Sequence, residues 1–294
     1  MALAVTTSHR PGEILDHYLL EAHIATGGMA SIFRARDTNT GRLVAIKVPH
    51  SEKVGSHLTS DRLRHEAEFG SRFDHAGLVK TLSYSDSRHR YAVMEWVEGR
   101  LLREIMYEEG TLPVERVISI TLAICDALEY VHNRGVVHRD LKPENVIVYA
   151  GCSIKLLDFG IARETRVSFW QRLKRGDTTG TPAYASPEQI RGKLSDARSD
   201  IYSLGVMLFE MLTGEVPFSG VDAATAMQLR LQVDPPQLRE INPELPPQLE
   251  AVVRCALTRD PASRCANVRE LASHLSECFP QETAAKVPES VACL

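Results

Sequence analysis

The pattern of apolar and polar positions changes about one third of the way along the chain. Up to that point the apolar residues come in short alternating or β-branched runs, which predict strands at residues 17–25, 30–37, 42–49, 78–86 and 88–97. Asn39-Thr40-Gly41 predicts a hairpin turn between the second and third runs. A charged segment at residues 60–73 places Leu63, Ala67 and Gly70 on one face of a predicted helix.

After Gly99 the apolar period is that of helices. Residues 112–135 carry apolar side chains every three or four positions, with Pro113 near the start and Gly135 just past the end. Residues 199–214 are almost wholly apolar and predict a buried helix, and residues 246–260 and 267–279 predict amphipathic helices. We therefore expect an α+β fold with a small β-rich lobe followed by a larger, mainly helical lobe.

Composition excludes several function classes. The 294 residues are 44% hydrophobic and 24% charged, which is ordinary for a globular protein of one large domain or two modest lobes. A net charge of −4 gives no reason to expect nucleic acid as a partner. No apolar run approaches the ~18–20 residues of a membrane span, and the six cysteines form no C-x-x-C pair. We expect a cytoplasmic protein with no membrane span and no zinc site.

The densest cluster of candidate catalytic side chains lies in the segment "VVHRDLKPENVIV", residues 136–148. Apolar ends flank a centre of ionic and amide side chains, an arrangement that costs free energy unless the polar groups are paired or functional. Asp158 follows a second apolar piece, and its carboxylate with the Asn145 amide suits a hard cation such as Mg²⁺. In the first lobe Lys47 ends an apolar strand, and Glu66 on the predicted helix could pair with it.

The stretch "IATGGMASIF", Ile24–Phe33, is spaced like a phosphate-binding loop of the pattern G-x-G-x-x-G. Ala25 and Ala30 occupy two of the three glycine positions, and Gly27 occupies the middle one. Taken alone, a glycine pair before an apolar run is more often a simple turn than a phosphate site.

Together these segments resemble the eukaryotic-type (Hanks-type) Ser/Thr protein kinases, and most of all their bacterial members. The resemblance runs in order through residues 18–279: the loop, "VAIK" at 44–47, Glu66, "HRDLKPEN" at 138–145, "DFG" at 158–160, "GTPAY" at 180–184, "SPE" at 186–188, "DIYSLG" at 200–205 and Arg264. It implies a bilobal protein-kinase-like fold with tails at 1–11 and 280–294. The kinase domain would span 12–279, with the N-lobe at 12–94, the hinge at 95–99 and the C-lobe at 100–279.

The resemblance also implies roles for individual residues. Asp140 would accept the proton of the substrate hydroxyl, Lys142 would stabilise the transferring phosphoryl group, and Lys47 paired with Glu66 would hold the ATP phosphates. Asn145 and Asp158 would bind Mg²⁺ or Mn²⁺. Glu188 and Arg264 would form a structural pair. The remaining ATP contacts would come from Ile24, Ala25, Thr26, Gly27, Gly28, Met29, Ala30, Ile32, Ala45, Met94, Glu95, Val97 and Ile147.

Three departures from the family pattern bear on activity. Ala25 and Ala30 predict a stiffer loop and weaker nucleotide binding, because alanine lacks the conformational freedom of glycine. Gly70 would leave empty the space where the family usually has an apolar side chain, which predicts a helix less firmly held inward. We therefore expect activity that depends on a partner, a dimer or phosphorylation at Thr178 or Thr179, with Arg139 as the docking cation for the phosphate.

Three function classes compete. The first is an ATP- and Mg²⁺-dependent kinase that transfers the γ-phosphoryl group to Ser/Thr hydroxyls of protein substrates. The second is a pseudokinase that senses nucleotide or acts as a scaffold; the two alanines and Gly70 favour it, and the intact catalytic residues oppose it. The third is a small-molecule phosphotransferase, against which the peptide-docking segment Gly180–Glu188 argues.

Overall fold

The structure, a computed structural model, describes residues 9–27, 30–50, 63–64, 67–68, 70–86, 90–158 and 182–278. The chain divides into two compact units. The first comprises Met1–Asp74 and Val79–Glu98, and the second comprises His75–Leu78 and Gly99–Leu294. The sequence did not indicate that His75–Leu78 leaves the first unit for the second. The predicted bounds of tails, lobes and hinge stay a prediction.

An antiparallel sheet forms the frame of the first unit. Among the described residues it has six strands in the order β1-β2-β3-β4-β6-β5. Its strands are β1 Ile14–Leu15, β2 Tyr18–Thr26, β3 Ala30–Asp37, β4 Leu43–Pro49, β5 Thr81–Asp86 and β6 Arg90–Glu95. Alternation places one set of side chains in a core that includes Leu20, Phe33, Ile46 and Val93. The predicted strands are confirmed, except that the fourth begins at Thr81 instead of residue 78 and the fifth ends at Glu95 instead of residue 97. Strand β1 was not predicted.

The described residues of the predicted helix at 60–73 are helical at 63–64, 67–68 and 70. Leu63 and Ala67 are buried and pack with Ala92 and Tyr84. Gly70, in contrast, does not face an empty space. A Cβ built there would lie 2.4 Å from Oγ1 of Thr81. The expectation of an empty space is therefore wrong, because the β-branched side chain at the start of β5 already fills it.

The second unit begins with the segment His75–Leu78, which is joined to it by backbone contacts. Leu156 N donates to Gly77 O at 2.8 Å, and Lys155 Nζ donates to Leu78 O at 3.0 Å. His75 contacts Asp126 at 3.3 Å and its ring lies 4.7 Å from that of Tyr130. Leu78 therefore forms a bridge to Leu156 instead of extending the sheet of the first unit.

A small antiparallel sheet and a group of helices make up the rest of the second unit. The sheet contains β7 Arg100–Leu101, β8 Val146–Tyr149 and β9 Ser153–Leu156. The helices are α1 Leu102–Glu109, α2 Val114–His132, α3 Pro187–Ile190, α4 Ala197–Thr213, α5 Ala223–Gln232, α6 Leu238–Ile241, α7 Pro247–Ala256 and α8 Val268–Cys278. Within the described ranges, none combines the length and apolar character of a membrane crossing.

Helices α2 and α4 form the buried centre of this unit, as their sequences predicted. Every residue of α4 from Ser199 to Leu212 is buried. Asp196 begins the helix by accepting a hydrogen bond from Arg198 N, and Gly214 ends it with φ 82°, a conformation that glycine adopts at little cost. Helices α1, α3, α5 and α6 were not predicted, because each is short or weakly amphipathic.

A buried ion pair joins α3 to the segment between α7 and α8. Arg264 Nη1 and Nη2 donate to the two carboxylate oxygens of Glu188, both at 2.8 Å. Ser199 Oγ also donates to Glu188 at 2.6 Å. Burial alone would raise the pKa of Glu188, but the hydrogen bonds and charge of Arg264 outweigh it, so that pKa is lowered. The predicted pairing is confirmed.

The contact at Gly70 predicts that Gly70→Ala will change the free energy of unfolding in opposite directions in the wild-type protein and in a Thr81→Ala background. Gly70→Ala should lower the free energy of unfolding, because overpacking costs about 1–3 kcal/mol and exceeds the ~1 kcal/mol that alanine adds to a helix. In a Thr81→Ala background the same change should raise stability by up to ~1 kcal/mol, because the hydroxyl in its path is gone. Urea unfolding of the four proteins of this cycle measures the effect. A Gly70→Ala change that stabilises both backgrounds would show that the space is open.

Candidate active site

Two polar side chains of the segment 138–145, those of Lys142 and Asn145, converge on Asp140. Lys142 Nζ donates to Asp140 Oδ2 at 3.0 Å. Asn145 Nδ2 donates to the Asp140 carbonyl oxygen at 2.8 Å and to its Oδ2 at 3.3 Å. The Asp140 carboxylate therefore has a fixed direction, with a cation and an amide beside it.

A single 3₁₀ turn, Pro143–Asn145, produces this convergence. Asn145 N donates to Lys142 O at 2.9 Å, and this bond closes the turn directly before β8. The neighbouring Leu141 is 1% exposed, so the loop is held to the core between its polar positions. Asn145 is itself buried, and its bonds to Asp140 satisfy an amide that would otherwise be costly to bury.

A fully buried carboxylate on α4 holds the start of this loop. Asp200 accepts hydrogen bonds from the backbone N–H groups of His138 and Arg139, both at 2.8 Å, and contacts His132 Nε2 at 2.8 Å. Arg139 has φ 65°, which is unfavourable for a residue other than glycine, so the loop adopts it only under constraint. Gln189 Nε2 supplies a further bond to Arg139 O at 2.8 Å.

Sequence reasoning assigned no role to Asp200 or Gln189, although Asp200 lay within a matched motif. The signal for Asp200 was available, because a carboxylate in an almost wholly apolar helix must find buried partners. Gln189 gave no comparable signal, because an amide on a four-residue helix is an ordinary surface residue.

Asp158 follows β9 and is tied to the loop through its neighbour. Leu157 N donates to Asn145 O at 2.9 Å, and His138 Nε2 lies 3.0 Å from Leu157 O. His138 is wholly buried, as expected of a structural residue. Asp158 has φ 47°, a second left-handed residue near the loop. The backbone therefore fixes the spacing between Asn145 and Asp158.

The donor chemistry of these two residues fits a hard divalent cation. A carboxylate and an amide oxygen are ligands that Mg²⁺ uses, and Mg²⁺ usually keeps other ligands from water or phosphate. Across the described ranges no group of three or more His, Cys, Asp or Glu side chains is arranged to hold a metal ion. A cation held by Asn145 and Asp158 would have coordination positions left for phosphate oxygens and water.

The residues predicted to contact nucleotide in the first unit share one face of its sheet. Ile32 is paired with Lys47, and Ala45 with Met94, across neighbouring strands. Paired residues and residues two apart on a strand point to the same face, so these four side chains lie together. Ala25 is paired with Ile32 and extends the group onto β2. The opposite face carries the apolar core.

The loop at the end of β2 is closed by a hydrogen bond from Gly27 N to Ala30 O at 2.8 Å. Ala25 and Thr26 belong to β2 and Ala30 belongs to β3, so both alanines lie in extended backbone. Neither has a positive φ, and alanine is therefore unstrained at these positions. Ile24 lies beside them on β2 and is exposed.

The segment after β6 offers backbone groups. Glu95 N donates to Lys80 O at 2.9 Å, and Lys80 N donates to Glu95 Oε1 at 2.9 Å. The backbone hydrogen bonds to ATP expected of Glu95 and Val97 stay a prediction. Val97, two residues later, is half-buried. Ile147 belongs to β8 in the second unit, where its Cγ2 lies so close to Gly99 that a Cβ there would be 2.6 Å away.

Several predicted residues lie outside the part of the chain that the structure describes. These are Gly28 and Met29 of the loop, the partner glutamate Glu66, and the regulatory threonines Thr178 and Thr179. The others are divided between the units: Lys47 and the sheet residues in the first, and Asp140, Lys142, Asn145, Ile147 and Asp158 in the second. Their roles remain predictions.

Comparison with known proteins gives matches over nearly the whole chain. A family model described as the protein kinase domain matches residues 18–275. Serine/threonine-protein kinase PknL of Mycobacterium tuberculosis is 37% identical over 286 residues, which cover 97% of this chain and 71% of that protein. The probable serine/threonine-protein kinase PknB of Corynebacterium glutamicum is 35% identical over 271 residues, or 89% of this chain and 42% of that protein.

Solved structures agree. The crystal structure of the Mycobacterium tuberculosis PknI kinase domain is similar with a TM-score of 0.71 and 25% identity, covering 92% of this chain and 100% of that one. The predicted kinase fold, with a curled β-sheet in one lobe and helices in the other, is therefore confirmed. On this match, and on the motifs that run in order along it, the chain belongs to the protein kinase family as a Hanks-type member of bacterial kind.

Proposed function

We propose that this chain is an active serine/threonine protein kinase that uses ATP and Mg²⁺. The observation that carries the proposal is the arrangement around Asp140, where Lys142 and Asn145 both donate to the carboxylate at hydrogen-bond distance. A pseudokinase has no need of a carboxylate held in this way. The protein kinase domain generally uses ATP and a divalent metal and acts on protein substrates.

In the proposed reaction the hydroxyl oxygen of a substrate Ser or Thr attacks the γ-phosphorus of ATP. The bond to the bridging oxygen breaks, ADP leaves, and the hydroxyl proton passes to Asp140 Oδ. Asp140 orients the hydroxyl as well, which supplies much of the rate through positioning. Lys142 stabilises the negative charge on the transferred group, because its ammonium is already fixed beside Asp140.

Asn145 and Asp158 are the residues that would hold the cation. When bound, Mg²⁺ offsets the charge of the β- and γ-phosphates, and Mn²⁺ has the same ligand preference. Lys47 would hold the phosphates from the first unit, and the shared face of Ile32, Ala45 and Met94 would receive the adenine. Glu66 is proposed as the partner of Lys47.

Activation is proposed to involve phosphate on Thr178 or Thr179. Arg139 precedes the catalytic aspartate and is fixed by Asp200 and Gln189, so its side chain starts from a rigid point. A phosphothreonine adds about −1.5 to −2 charge and could bond to that guanidinium. A partner or a dimer of this chain would then serve to bring two activation segments together. A cytoplasmic location stays a prediction.

The catalytic assignment predicts a selective loss of turnover. Asp140→Asn and Lys47→Met should each lower kcat for a generic protein acceptor by at least about a thousandfold, because proton transfer and phosphate binding are lost. EDTA should abolish turnover, and added Mg²⁺ should restore it. Radiolabel transfer from ATP measures the rate, with Asp234→Asn and Lys80→Met as controls of the same chemistry at exposed positions. Equal rates for Asp140→Asn and Asp234→Asn would refute the assignment.

Asp200 is predicted to be a positioning residue. In Asp200→Asn a single amide oxygen replaces two carboxylate oxygens, so the N–H of His138 or Arg139 loses its partner. We expect kcat to fall about a hundredfold while the KM for ATP stays within about threefold. Thr121→Val, which removes a buried hydroxyl from α2, is the control. If kcat and the KM for ATP changed together in both Asp200→Asn and Thr121→Val, the loss of activity would reflect a general loss of stability instead of a positioning role for Asp200.

The activation proposal predicts where phosphate appears. Thr178→Ala/Thr179→Ala should lose most activity, and Arg139→Ala should remove the dependence on phosphate together with much of the activity. Mass spectrometry of active enzyme, before and after phosphatase treatment, locates the modified residues. The exposed Thr40→Ala is a control. Full activity with both threonines unmodified would instead indicate activation by a partner.

A further inference from the structure

An arginine from α1 enters a group of acidic side chains beside the catalytic loop. Arg103 Nε donates to Glu144 Oε1 at 3.0 Å, and its Nη1 donates to Glu210 Oε1 at 2.8 Å. Its Nη2 donates to the hydroxyl of Tyr184, which in turn donates to Glu210 Oε2. We name the site formed by Glu144, Glu210 and Tyr184 the acidic recess.

The acidic recess adjoins the proposed reaction centre. Glu144 lies in the same 3₁₀ turn as Asn145, whose amide donates to Asp140. Glu144 is four residues from Asp140, so at full extension the chain places it at most about 14 Å away. A peptide that presents its hydroxyl to Asp140 therefore has side chains within about four residues of the acceptor that can reach the recess.

The recess is partly exposed to solvent at Arg103 and Glu144. Glu210 and Tyr184 are buried, whereas the side chains of Arg103 and Glu144 are 31% and 35% exposed. Glu144 Oε2 is itself buried and accepts no hydrogen bond from the part of the chain that the structure describes. A cationic side chain from outside would approach at Glu144, the position where the guanidinium of Arg103 now lies.

The charges of the recess do not cancel. The recess holds two carboxylates and one guanidinium. The hydroxyl of Tyr184 stays protonated and adds no charge, so one negative charge is left over. Burial opposes the charge of Arg103, but the bond to Glu210 and the nearby carboxylates outweigh it and raise the pKa of the guanidinium. Burial and the negative charge of Glu210 raise the pKa of Tyr184. The structure therefore already displays the ligand that the recess binds, a planar guanidinium held by two carboxylates.

We propose that Arg103 is a specificity-determining residue, which occupies the acidic recess so that the enzyme does not select substrates with a basic residue near the acceptor. The inference rests on the proposed kinase function. Without Arg103, the two carboxylates would be left to bind an arginine supplied by the peptide. Arg103 also connects α1 to α4, so its loss has a structural cost, and the test must separate the two effects.

The test compares peptides that differ in one residue. A serine peptide of neutral sequence is varied from Ala to Arg at each of the four positions on either side of the acceptor. For the wild-type protein the ratio of kcat/KM, Arg peptide over Ala peptide, should stay within about threefold at every position. For Arg103→Gln the ratio should rise about tenfold at one position or at two adjacent ones. Arg116→Gln, which breaks an Arg–Glu pair elsewhere, should leave the ratio unchanged.

A binding measurement separates this inference from the proposed function. Fluorescence anisotropy of the labelled Arg and Ala peptides gives the same ratio from Kd values, with no turnover needed. If no variant shows turnover, the kinase function fails, and the ratio of Kd values still decides whether the recess binds arginine. If Arg103→Gln does not fold, Arg103→Gln/Glu210→Gln removes the cation with one carboxylate and should show the same preference through Glu144.

Two results would overturn the proposal. In the first, the wild-type protein already prefers the Arg peptide about tenfold at the position concerned, which would mean that Arg103 leaves the recess accessible. In the second, Arg103→Gln lowers kcat/KM equally for both peptides with no change in the ratio of Kd values, which would mean that the residue is structural only.

Discussion

The proposed active site depends on the hydrogen bonds that the buried carboxylate of Asp200 accepts. It lies in the first turn of α4, a helix that is buried from Ser199 to Leu212, and accepts hydrogen bonds from two successive backbone N–H groups of the loop at 138–145. A charge without solvent is stable only when its partners are fixed, so the loop and the helix constrain each other. The strained backbone of Arg139 is one result. The chemistry proposed for the loop thus takes its rigidity from the core at the start of the loop and from the 3₁₀ turn at its end.

Most of the fold could be predicted, because its main elements bury one face each. The alternation in residues 18–26 and 30–37 and the apolar run of α4 indicated their structures directly. What was missed has a local cause. In the sequence, Leu78 continues the apolar pattern of the fourth predicted strand, but in the structure it forms a bridge with Leu156 in the second unit. The sequence pattern could not indicate this pairing, because Leu156 is distant in sequence. Helices α1 and α5 are too short or too weakly patterned to be recognised without the packing around them.

The candidate site shows the same division. Asp140, Lys142 and Asn145 could be predicted as a group, because polar residues between apolar ends must be satisfied locally. The role of Arg103 could not, because its partners lie 41 and 107 residues away and only the fold brings them together. Gly70 shows the opposite error, where an absent side chain was read as an empty space although a residue from a neighbouring strand fills it.

The segment His75–Leu78 limits how recombination could exchange the two units. The chain passes from one unit to the other three times, after Asp74, after Leu78 and after Glu98. A fragment that ended at Glu98 would carry the backbone of Gly77 and Leu78 without the strand that pairs with it. Neither unit is therefore a module that recombination could exchange with a single crossover. An exchange of one unit that left the other intact would need crossovers at all three of these positions.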